Sequence, residues 1–503
     1  MESKVSGFLK EAMAPEIQNS FMAPALKRSF AAHLPLITEI NKAHVLMLLR
    51  CGIIDASVAR QLAKAVVDLQ EMGPEGFDLN PALEDSYFNY EAKLIEVLGS
   101  DVGGRVHIGR SRNDLKSTID RLRARTVALN VMGDLLLFRK ELIRQGLRFA
   151  EVIAPGYTHM QPAQPITFGY YLLGVASGIE RDYQRISDCY VRLNRSPLGS
   201  AAMAGTSFRI DRNMTAAALG FDGVAFHAQD ATATRDTLIE LLSAFTLLAG
   251  TIGRMAQDFY LMTTYEFKTL RLPDSVAITS SIMPQKKNMA ALENLKGRIA
   301  IMTGALVTAL TGYKGVPYGH AQDGNMDSMR WIWDAFEELA AMVPVATLVA
   351  SKAEPEQERM LELVRANFST VTDLADMLVR ETDLSFRDAH HVVGRVVRFA
   401  MAQDRKADEI TSDMLAQAAL DTLGREIRLP QDVLDAALDP AKTIEQRAGT
   451  GSPAREDISR MAEKLEQRLE DDTVAFGTRK NQVEEAQRKL GAEFLELLRR
   501  EDA

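Results

Sequence analysis

The chain is poor in cysteine and in long apolar runs, and both shortages exclude classes of protein. Its 503 residues contain two cysteines, Cys51 and Cys189, which lie far apart in the sequence. They cannot form a disulfide framework or a cysteine metal cluster, and a reducing cytoplasm fits such a chain best. The longest charge-free apolar run, residues 241–253, is too short to cross a bilayer, and residues 1–18 lack the apolar segment of a signal peptide. We therefore expect a cytoplasmic protein that does not span a membrane.

An excess of positive charge is also missing. The net charge is −9, and the Lys and Arg residues are scattered among acids instead of forming a stripe. A surface that binds nucleic acid or an anionic membrane needs such a stripe, so we expect neither partner. A small anionic molecule can still bind wherever a few cations converge. The apolar fraction of 46% and the charged fraction of 25% are those of an ordinary globular protein.

Helical periodicity dominates the sequence, whereas the alternation typical of strands is nearly absent. Long helices are predicted over residues 120–152, 167–193, 234–264, 289–310 and 329–349. The length exceeds that of one ordinary hydrophobic core. We therefore predict an all-α protein of three domains, covering residues 1–111, 112–364 and 365–503, with the five long helices in the middle one.

Two segments carry predictions about packing. Residues 234–264 are apolar nearly all round, which a helix in the outer layer of a monomer could not tolerate. We expect the helices of other subunits to bury them. The tail from residue 459 is rich in Glu, Lys, Arg and Leu, and its pattern is typical of a solvated or coiled helix.

The string "GRSRNDLKST" crowds charged and amide side chains into the start of a helix. Arg110, Arg112, Asn113 and Asp114 lie within five positions. Free backbone N–H groups and the helix dipole attract a carboxylate there. The guanidinium of Arg112 could hold that carboxylate with two parallel hydrogen bonds. The alternative is an ordinary helix cap without a ligand.

Two further strings combine reactive side chains with prolines. "PGYTHMQPAQP" places Thr158 and His159 between prolines, which predicts a stiff loop carrying a hydroxyl and a titratable ring. "TSSIMPQKKN" supplies hydroxyls together with Lys286 and Asn288. Taken singly, each string has a plain alternative: a turn with a surface histidine, or a solvated pair of lysines.

Two other chemical interpretations are weak. "GGRVHIGRS" imitates a phosphate-binding loop, but it lacks the lysine and a preceding apolar strand. His390 and His391 are neighbours that point about 100° apart on a helix, so they cannot bind one metal ion together. We therefore expect neither a nucleotide nor a metal ion.

Together the three strings suggest one reaction. Removing a proton from a carbon next to a carboxylate makes a doubly negative aci-carboxylate. Such an intermediate needs a fixed base and several preorganised donors or cations. A serine, an Arg-Asn pair, a Thr-His pair and a Lys-x-Asn pair supply those groups.

The three strings resemble the signature regions of the aspartase/fumarase superfamily, and specifically of the argininosuccinate lyases. The pattern of that family reads roughly G-R-S-R-N-D, Y-T-H-x-Q-x-A-Q-P and G-S-S-x-M-P-x-K-x-N. The likeness extends to "PLGSAAMAGTSFRIDR", "FRDAHHVVG" and "RAGTGSPA", and it covers most of the chain in the right order. It implies a nearly all-α fold in three domains and a homotetramer whose active sites are each built from three subunits. It also implies a β-elimination that releases fumarate without a metal or an organic cofactor.

The resemblance assigns roles to individual positions. Ser280 matches the general base, on a mobile loop that closes over the substrate. Glu293 falls where the family has an acid paired with the position of His159, and whether that pair orients the site or relays a proton stays open. The positions that would hold the two carboxylates of a succinyl group are Arg112, Asn113, Thr158, Ser281, Met283, Lys286 and Asn288.

The half of the site that recognises the amine departs from the family. Argininosuccinate lyases have a run like P-L-A-Y-N-R-D-x-Q-E-D-K, and here "VPYGHAQDGNMDS" puts His320, Asn325 and Ser328 at the places of its Tyr, Gln and Lys. In a second family run, D-[IV]-x-x-S-x-A-H, Asn41 takes the place of the serine and Ile37 that of the acid. Losing the lysine removes a cation that binds a carboxylate, so the amine pocket is expected to differ.

The departures resemble the relatives that split ethylenediamine-N,N′-disuccinate (EDDS) into fumarate and an N-substituted ethylenediamine. We therefore predict reversible cleavage of an aminopolycarboxylate, with His320 and Asn325 in the amine pocket. His320 could instead be a structural loop histidine. Two alternatives remain at this stage: cleavage of argininosuccinate into fumarate and arginine, and an inactive structural protein of the kind that lens crystallins represent in this family.

Overall fold

The fold is mostly helical with little strand, as the sequence predicts. The computed structural model describes residues 11–499. Its first part contains helices α1 (Pro15–Ile17), α2 (Ala23–Arg50), α3 (Ala56–Met72), α4 (Ser86–Leu98) and α5 (Ser100–Gly103). The middle part contains α6 (Arg112–Arg148), α7 (Phe168–Leu193), α8 (Arg212–Ala218), α9 (Ala228–Ala233), α10 (Asp236–Met262), α11 (Ala290–Tyr313) and α12 (Arg330–Lys352).

The last part is built from shorter helices and one long one. These are α13 (Gln357–Ala366), α14 (Val371–Glu381), α15 (Phe386–Ala402), α16 (Ser412–Leu423), α17 (Gln431–Leu438), α18 (Pro440–Gln446) and α19 (Arg455–Arg499). Short 3-10 or π turns cover Gln18–Met22, Pro74–Gly76, Pro81–Leu83, Gly104–His107, Asp274–Val276, Asp323–Asp327 and Ala407–Glu409.

The five predicted long helices are all present as α6, α7, α10, α11 and α12. Helix α6 begins earlier than predicted, because Ser111 and Asp114 form a capping box at its N-terminus. The Ser111 side chain accepts a hydrogen bond from the backbone of the first turn, and Asp114 accepts one from the backbone N–H of Ser111 at 2.9 Å. This local signal fixes the orientation of the neighbouring Arg112 and Asn113.

The long helices pack side by side around one core. Helix α6 packs against α7 and α12, and α10 packs against α7, α11 and α12. Side chains such as Leu142, Tyr183, Phe245, Phe259 and Phe336 fill the space between them and are almost fully buried. Each buried side chain of this size contributes about 1.5–3 kcal/mol by leaving water.

The prediction that other subunits bury residues 234–264 is wrong for most of that segment. Helix α10 is long and apolar enough to cross a membrane by length and composition, but 61% of its apolar window is buried within this chain. Of its large apolar side chains, only Leu247 is more than half exposed. The outward apolar face belongs to α11 instead, where Ile301, Val307 and Leu310 are 45–58% exposed.

Two smaller cores flank the central one. The first lies among α2, α3 and α4, and also takes in Leu198, Phe221 and the end of α19; the other lies within residues 374–438. Helix α19 runs back along α6 and α7, burying Leu465 near its start and Phe494 near its end. The tail is therefore packed along other helices, which agrees with the coiled alternative and not with a solvated helix.

Strands are few but carry predicted site residues. Strands β1 (Ile153–Thr158) and β2 (Gln161–Thr167) form an antiparallel hairpin where the sequence predicts only a stiff loop. The prolines in this segment argue against a strand when only the sequence is considered. They are tolerated in a two-stranded ribbon, because half of the backbone N–H groups there face outward and need no partner strand. Strands β4 (Ile278–Thr279) and β5 (Lys287–Asn288) form a second hairpin, and β3 (Leu270–Arg271) pairs with β6 (Glu354–Pro355).

Candidate active site

The predicted site residues lie at the two opposite ends of helix α6. Arg112 and Asn113 occupy its first turn, whereas Thr158 and His159 follow its last residue, Arg148, by way of strand β1. At 1.5 Å per residue, the 37 residues of α6 span about 55 Å. Within one chain, these two pairs therefore cannot contact one molecule of substrate.

The hairpin with the predicted base lies at the C-terminal end of α6. Helix α10 starts beside the N-terminal half of α6, where Arg235 binds Asp120 at 3.0 Å. It ends beside the start of α7, where the hydroxyl of Tyr171 donates to Asp258 at 2.8 Å. The β4–β5 hairpin connects this end of α10 to the start of α11. The structure therefore brings the Ser280 hairpin to the same end of the bundle as His159.

Ser280 is held in a turn that directs backbone donors at its hydroxyl. Its Oγ accepts hydrogen bonds from the backbone N–H groups of Met283 at 3.0 Å and of Ile282 at 3.4 Å. A further bond, from the N–H of Lys286 to the carbonyl of Met283 at 3.0 Å, closes the turn. Preorganised N–H donors stabilise negative charge on an oxygen, which is what a serine base requires. Ser281, Met283 and Lys286 are exposed on this hairpin, and Asn288 is half-buried.

Thr158 and His159 form the exposed tip of the β1–β2 hairpin. Thr158 pairs with Gln161, which leaves His159 and Met160 as a two-residue turn with φ values of 52° and 60°. Two residues other than glycine in the left-handed region store strain of about 1–3 kcal/mol each. The ring of His159 makes no hydrogen bond within residues 11–499. It is therefore free to meet a partner from outside the chain.

Glu293 lies in the first turn of α11 and has a partner that the sequence did not indicate. The hydroxyl of Tyr260, on α10, donates a hydrogen bond to its Oε1 at 3.0 Å. This bond and the charge of Glu293 raise the pKa of Tyr260. Within the described part of the chain, His159 does not touch Glu293, so the predicted pairing of the two stays a prediction that would require another subunit.

At the other end of the bundle, Arg112 is already bound by carboxylates. Its Nη1 lies 2.6 Å from Glu84 and 3.1 Å from Asp85, and its guanidinium stacks on the ring of Phe88. Glu84 has a φ of 65°, so the backbone is strained at the point that presents this acid. Neighbouring Asn113 donates its amide to the carbonyl of Ala202 at 3.1 Å. Arg112 therefore binds carboxylates, but these are the side chains of Glu84 and Asp85 and not the predicted carboxylate of a substrate.

Lys116 belongs to this group and was missed in the sequence. It follows Arg112 by four positions, which places both cations on one face of α6. Its Nζ lies 2.9 Å from Asp85. Burial raises the pKa of Asp85, but Lys116, the N–H of Phe88 and Arg112 outweigh burial, so its pKa falls below the ordinary value. The i, i+4 spacing in "RSRNDLK" is the signal that could have revealed this lysine.

His320 faces the same group of cations. Its Nδ1 is buried and has no hydrogen-bond partner within residues 11–499. Burial, together with the charges of Arg235 and Lys116, lowers its pKa to about 4. His320 is therefore neutral at pH 7 and offers an unused ring nitrogen to a ligand.

Asn325 is in the predicted region, but its amide is used internally. The side chain is 3% exposed. Its Nδ2 donates to the carbonyl of Ala233 at 2.7 Å, and its Oδ1 accepts from the N–H of Ala321 at 2.9 Å. In this conformation Asn325 fixes the loop that carries His320 and does not face a ligand.

We expect Asn325→Ala to lower the stability of this loop by about 1–3 kcal/mol, because two buried backbone groups lose their partner. Thermal unfolding of the purified variant measures the effect. The control is Gln322→Ala, at an exposed position in the same loop, which should leave the midpoint unchanged. Equal midpoints for the two variants would contradict the structural role of Asn325.

The models of two protein families together match most of the sequence. Residues 26–304 match a model described as a lyase, and residues 368–445 match the C-terminal region of argininosuccinate lyase. "Argininosuccinate lyase 1" of Shouchella clausii is 37% identical over 480 residues, which cover 95% of this chain and 96% of that protein.

Solved structures give a second relationship. An EDDS lyase variant with bound fumarate superimposes with a TM-score of 0.87 at 30% identity, covering 97% of both chains. An EDDS lyase in complex with formate has the same TM-score and identity and covers 97% of this chain and 96% of its own.

These matches define the class of protein. The chain belongs to the aspartase/fumarase superfamily, in the branch that resembles argininosuccinate lyase. It is a carbon–nitrogen lyase that releases fumarate.

Proposed function

We propose that this lyase cleaves an N-substituted aspartate of the aminopolycarboxylate type, such as EDDS, into fumarate and an amine. The alkoxide of Ser280 removes a proton from the carbon next to one carboxylate, and the electron pair forms an aci-carboxylate. When that intermediate collapses, the bond from carbon to the protonated nitrogen breaks, the double bond of fumarate forms, and the amine leaves neutral, while the hydroxyl of Ser280 keeps the proton it removed. The reverse reaction adds an amine to fumarate.

The observation that carries this mechanism is the turn around Ser280. Two backbone N–H groups converge on its Oγ, so the oxygen can carry negative charge once substrate excludes water from the exposed hairpin. Lys286 and Asn288 lie on the same hairpin and supply a cation and an amide for the succinyl carboxylates.

The distance between the two ends of the bundle supports an active site that is formed by more than one subunit. Because Arg112 and His159 are separated by the length of α6, a complete site needs the two ends of different subunits. The face of α11 supports such an assembly: residues 299–313 carry no charge, and Ile301, Val307 and Leu310 are exposed. Apolar faces of this kind mark interfaces between subunits. We propose a homotetramer whose active sites each draw on three subunits.

The proposed substrate rests on the end of the bundle that holds His320. A neutral imidazole can accept a hydrogen bond from the amine of the substrate, and a carboxylate beyond the succinyl group can bind Lys116 by taking the place of Asp85. Ser328 stands where argininosuccinate lyases have a lysine. The solved EDDS lyases, which cover nearly the whole chain, support the same choice.

Parallel assays of fumarate release, followed by ultraviolet absorbance, test the substrate. We expect (S,S)-EDDS to react and argininosuccinate to react at least about a hundredfold more slowly, since buried recognition groups left unpaired cost several kcal/mol. Faster release from argininosuccinate would overturn the aminopolycarboxylate proposal but leave the lyase chemistry intact. No release from either would redirect the search to amines added to fumarate.

Argininosuccinate cleavage is the second candidate, because relatives that are 33–37% identical to this chain carry that name. A catalytically inactive structural protein is a weaker one, since Ser280, Lys286, Asn288, His159 and Glu293 are all present. We propose the cytoplasm as the location, in keeping with two free thiols, Cys51 and Cys189.

A further inference from the structure

A buried guanidinium lies in the first core. Arg110 is 5% exposed, and no carboxylate lies within ion-pair distance of it among residues 11–499. Its Nη2 donates to Asn41 and to the hydroxyl of Tyr87, while Nε and Nη1 have no hydrogen-bond partner in the described part of the chain. An unpaired buried charge costs several kcal/mol, so some group must compensate it.

Three polar side-chain groups near Arg110 are buried without a hydrogen-bond partner among residues 11–499. They are the amide Nδ2 of Asn41 and the hydroxyls of Thr38 and Tyr90, and each hydroxyl can accept as well as donate. Burial raises the pKa of Tyr90 to about 12. The polar groups of Asn41 and Thr38 act in the opposite direction, which places both side chains next to the hydroxyl of Tyr90. Nδ1 of His44 is a further acceptor without a partner in the described part of the chain, since Nε2 of that ring donates to the carbonyl of Ile108.

The charged and titratable neighbours among the described residues form no direct ion pair with Arg110. Burial and the charge of Arg110 hold the pKa of His44 well below its usual value, so its ring is neutral. His107 is likewise neutral at pH 7, with a pKa lowered to about 4. The nearest acids that feel the charge of Arg110 are Glu91, whose Oε1 lies 3.6 Å from His107, and Asp114, which is bound by backbone N–H groups.

We propose that a small inorganic anion, such as chloride, is bound between Arg110, Asn41, Thr38 and Tyr90. An anion accepts hydrogen bonds from the free Nε and Nη1 groups of Arg110 and neutralises the guanidinium at once. A water molecule could accept the same hydrogen bonds but would leave the buried charge uncompensated. Because these side chains are at most 5% exposed, the site excludes substrate-sized molecules. The anion would brace the segment that leads into α6, two residues before Arg112.

Thermal unfolding of the full-length protein in sodium chloride against sodium gluconate, at equal ionic strength, tests this site. We expect a saturable rise of about 2–4 °C in chloride, because a ligand that binds only the folded state stabilises it. Crystals soaked in sodium bromide should show an anomalous peak in contact with Nε of Arg110 and Nδ2 of Asn41. No chloride-specific rise and no peak would overturn the proposal.

A matched pair of variants at Ile37 sharpens the test. Ile37 is fully buried one helical turn before Asn41 on α2, so an acid there would face Arg110. Ile37→Asp should abolish both the chloride response and the bromide peak, whereas Ile37→Asn, of the same shape without the charge, should keep both. A chloride response that survives in Ile37→Asp would contradict the assignment. If Ile37→Asp does not fold, the presence or absence of the bromide peak in the unaltered protein still shows whether an anion binds at Arg110.

Discussion

Ser280→Ala is expected to lower the turnover of fumarate release by about 10²–10⁴-fold, the usual effect of removing a positioned base. The alanine leaves the hairpin intact, because the turn is also closed by the bond between Lys286 and Met283. The amides of Ile282 and Met283 stay solvated on the exposed loop, so folding and assembly should not change. Turnover is measured with saturating substrate, and assembly by light scattering.

The neighbouring hydroxyl provides the control for Ser280. Thr279 lies next to it on β4 and pairs with Lys287 across the hairpin, so it shares the loop and the exposure. Thr279→Val keeps the shape and removes the hydroxyl. We expect its turnover to stay within a fewfold of the unaltered enzyme. If Ser280→Ala were as active as Thr279→Val, Ser280 could not be the base.

Mixing two inactive variants is expected to restore activity. Arg112→Met removes a predicted carboxylate ligand at one end of α6, and Ser280→Ala removes the base at the other. After subunits exchange at random in an equal mixture, about a quarter of the sites should combine two unaltered ends from different chains. Fumarate release should therefore rise from nearly zero to about a quarter of the normal rate.

A second mixture is the control for shared sites. Ser280→Ala and Asn288→Ala alter the same hairpin, so no arrangement of these subunits can rebuild an intact hairpin. This mixture should remain inactive, while mass spectrometry confirms that its subunits have exchanged. If the first mixture also stays inactive after proven exchange, Arg112 and Ser280 do not act in sites shared between subunits.

Local signals account for what the sequence predicted well. The five long helices follow from the spacing of apolar residues, and the start of α6 from the Ser111 and Asp114 cap. These features depend on residues three or four positions apart, so the chain need not be folded for them to be visible. The chemistry of the site was visible for the same reason: the hydroxyls, Lys286 and Asn288 lie within one short hairpin.

Contacts between distant residues account for what was missed. Glu84 and Asp85 occupy Arg112 although they are far from it in sequence, and Tyr260 reaches Glu293 from another helix. Asn325 looked like a ligand from its place in the sequence, yet two backbone groups take its amide. Such outcomes depend on how helices pack, which periodicity does not determine.

The helical class, the long central helices and the residue types needed to form and bind an aci-carboxylate can all be predicted from the amino-acid order. Three features become visible only once the helices are packed: these residues lie at opposite ends of α6, α11 instead of α10 carries the exposed apolar face, and Arg110 is buried without a counter-ion among residues 11–499. Periodicity and caps act within one turn of the chain, so they do not specify such features. Burial, charge pairing and the distance between ends depend on which segments the fold brings together.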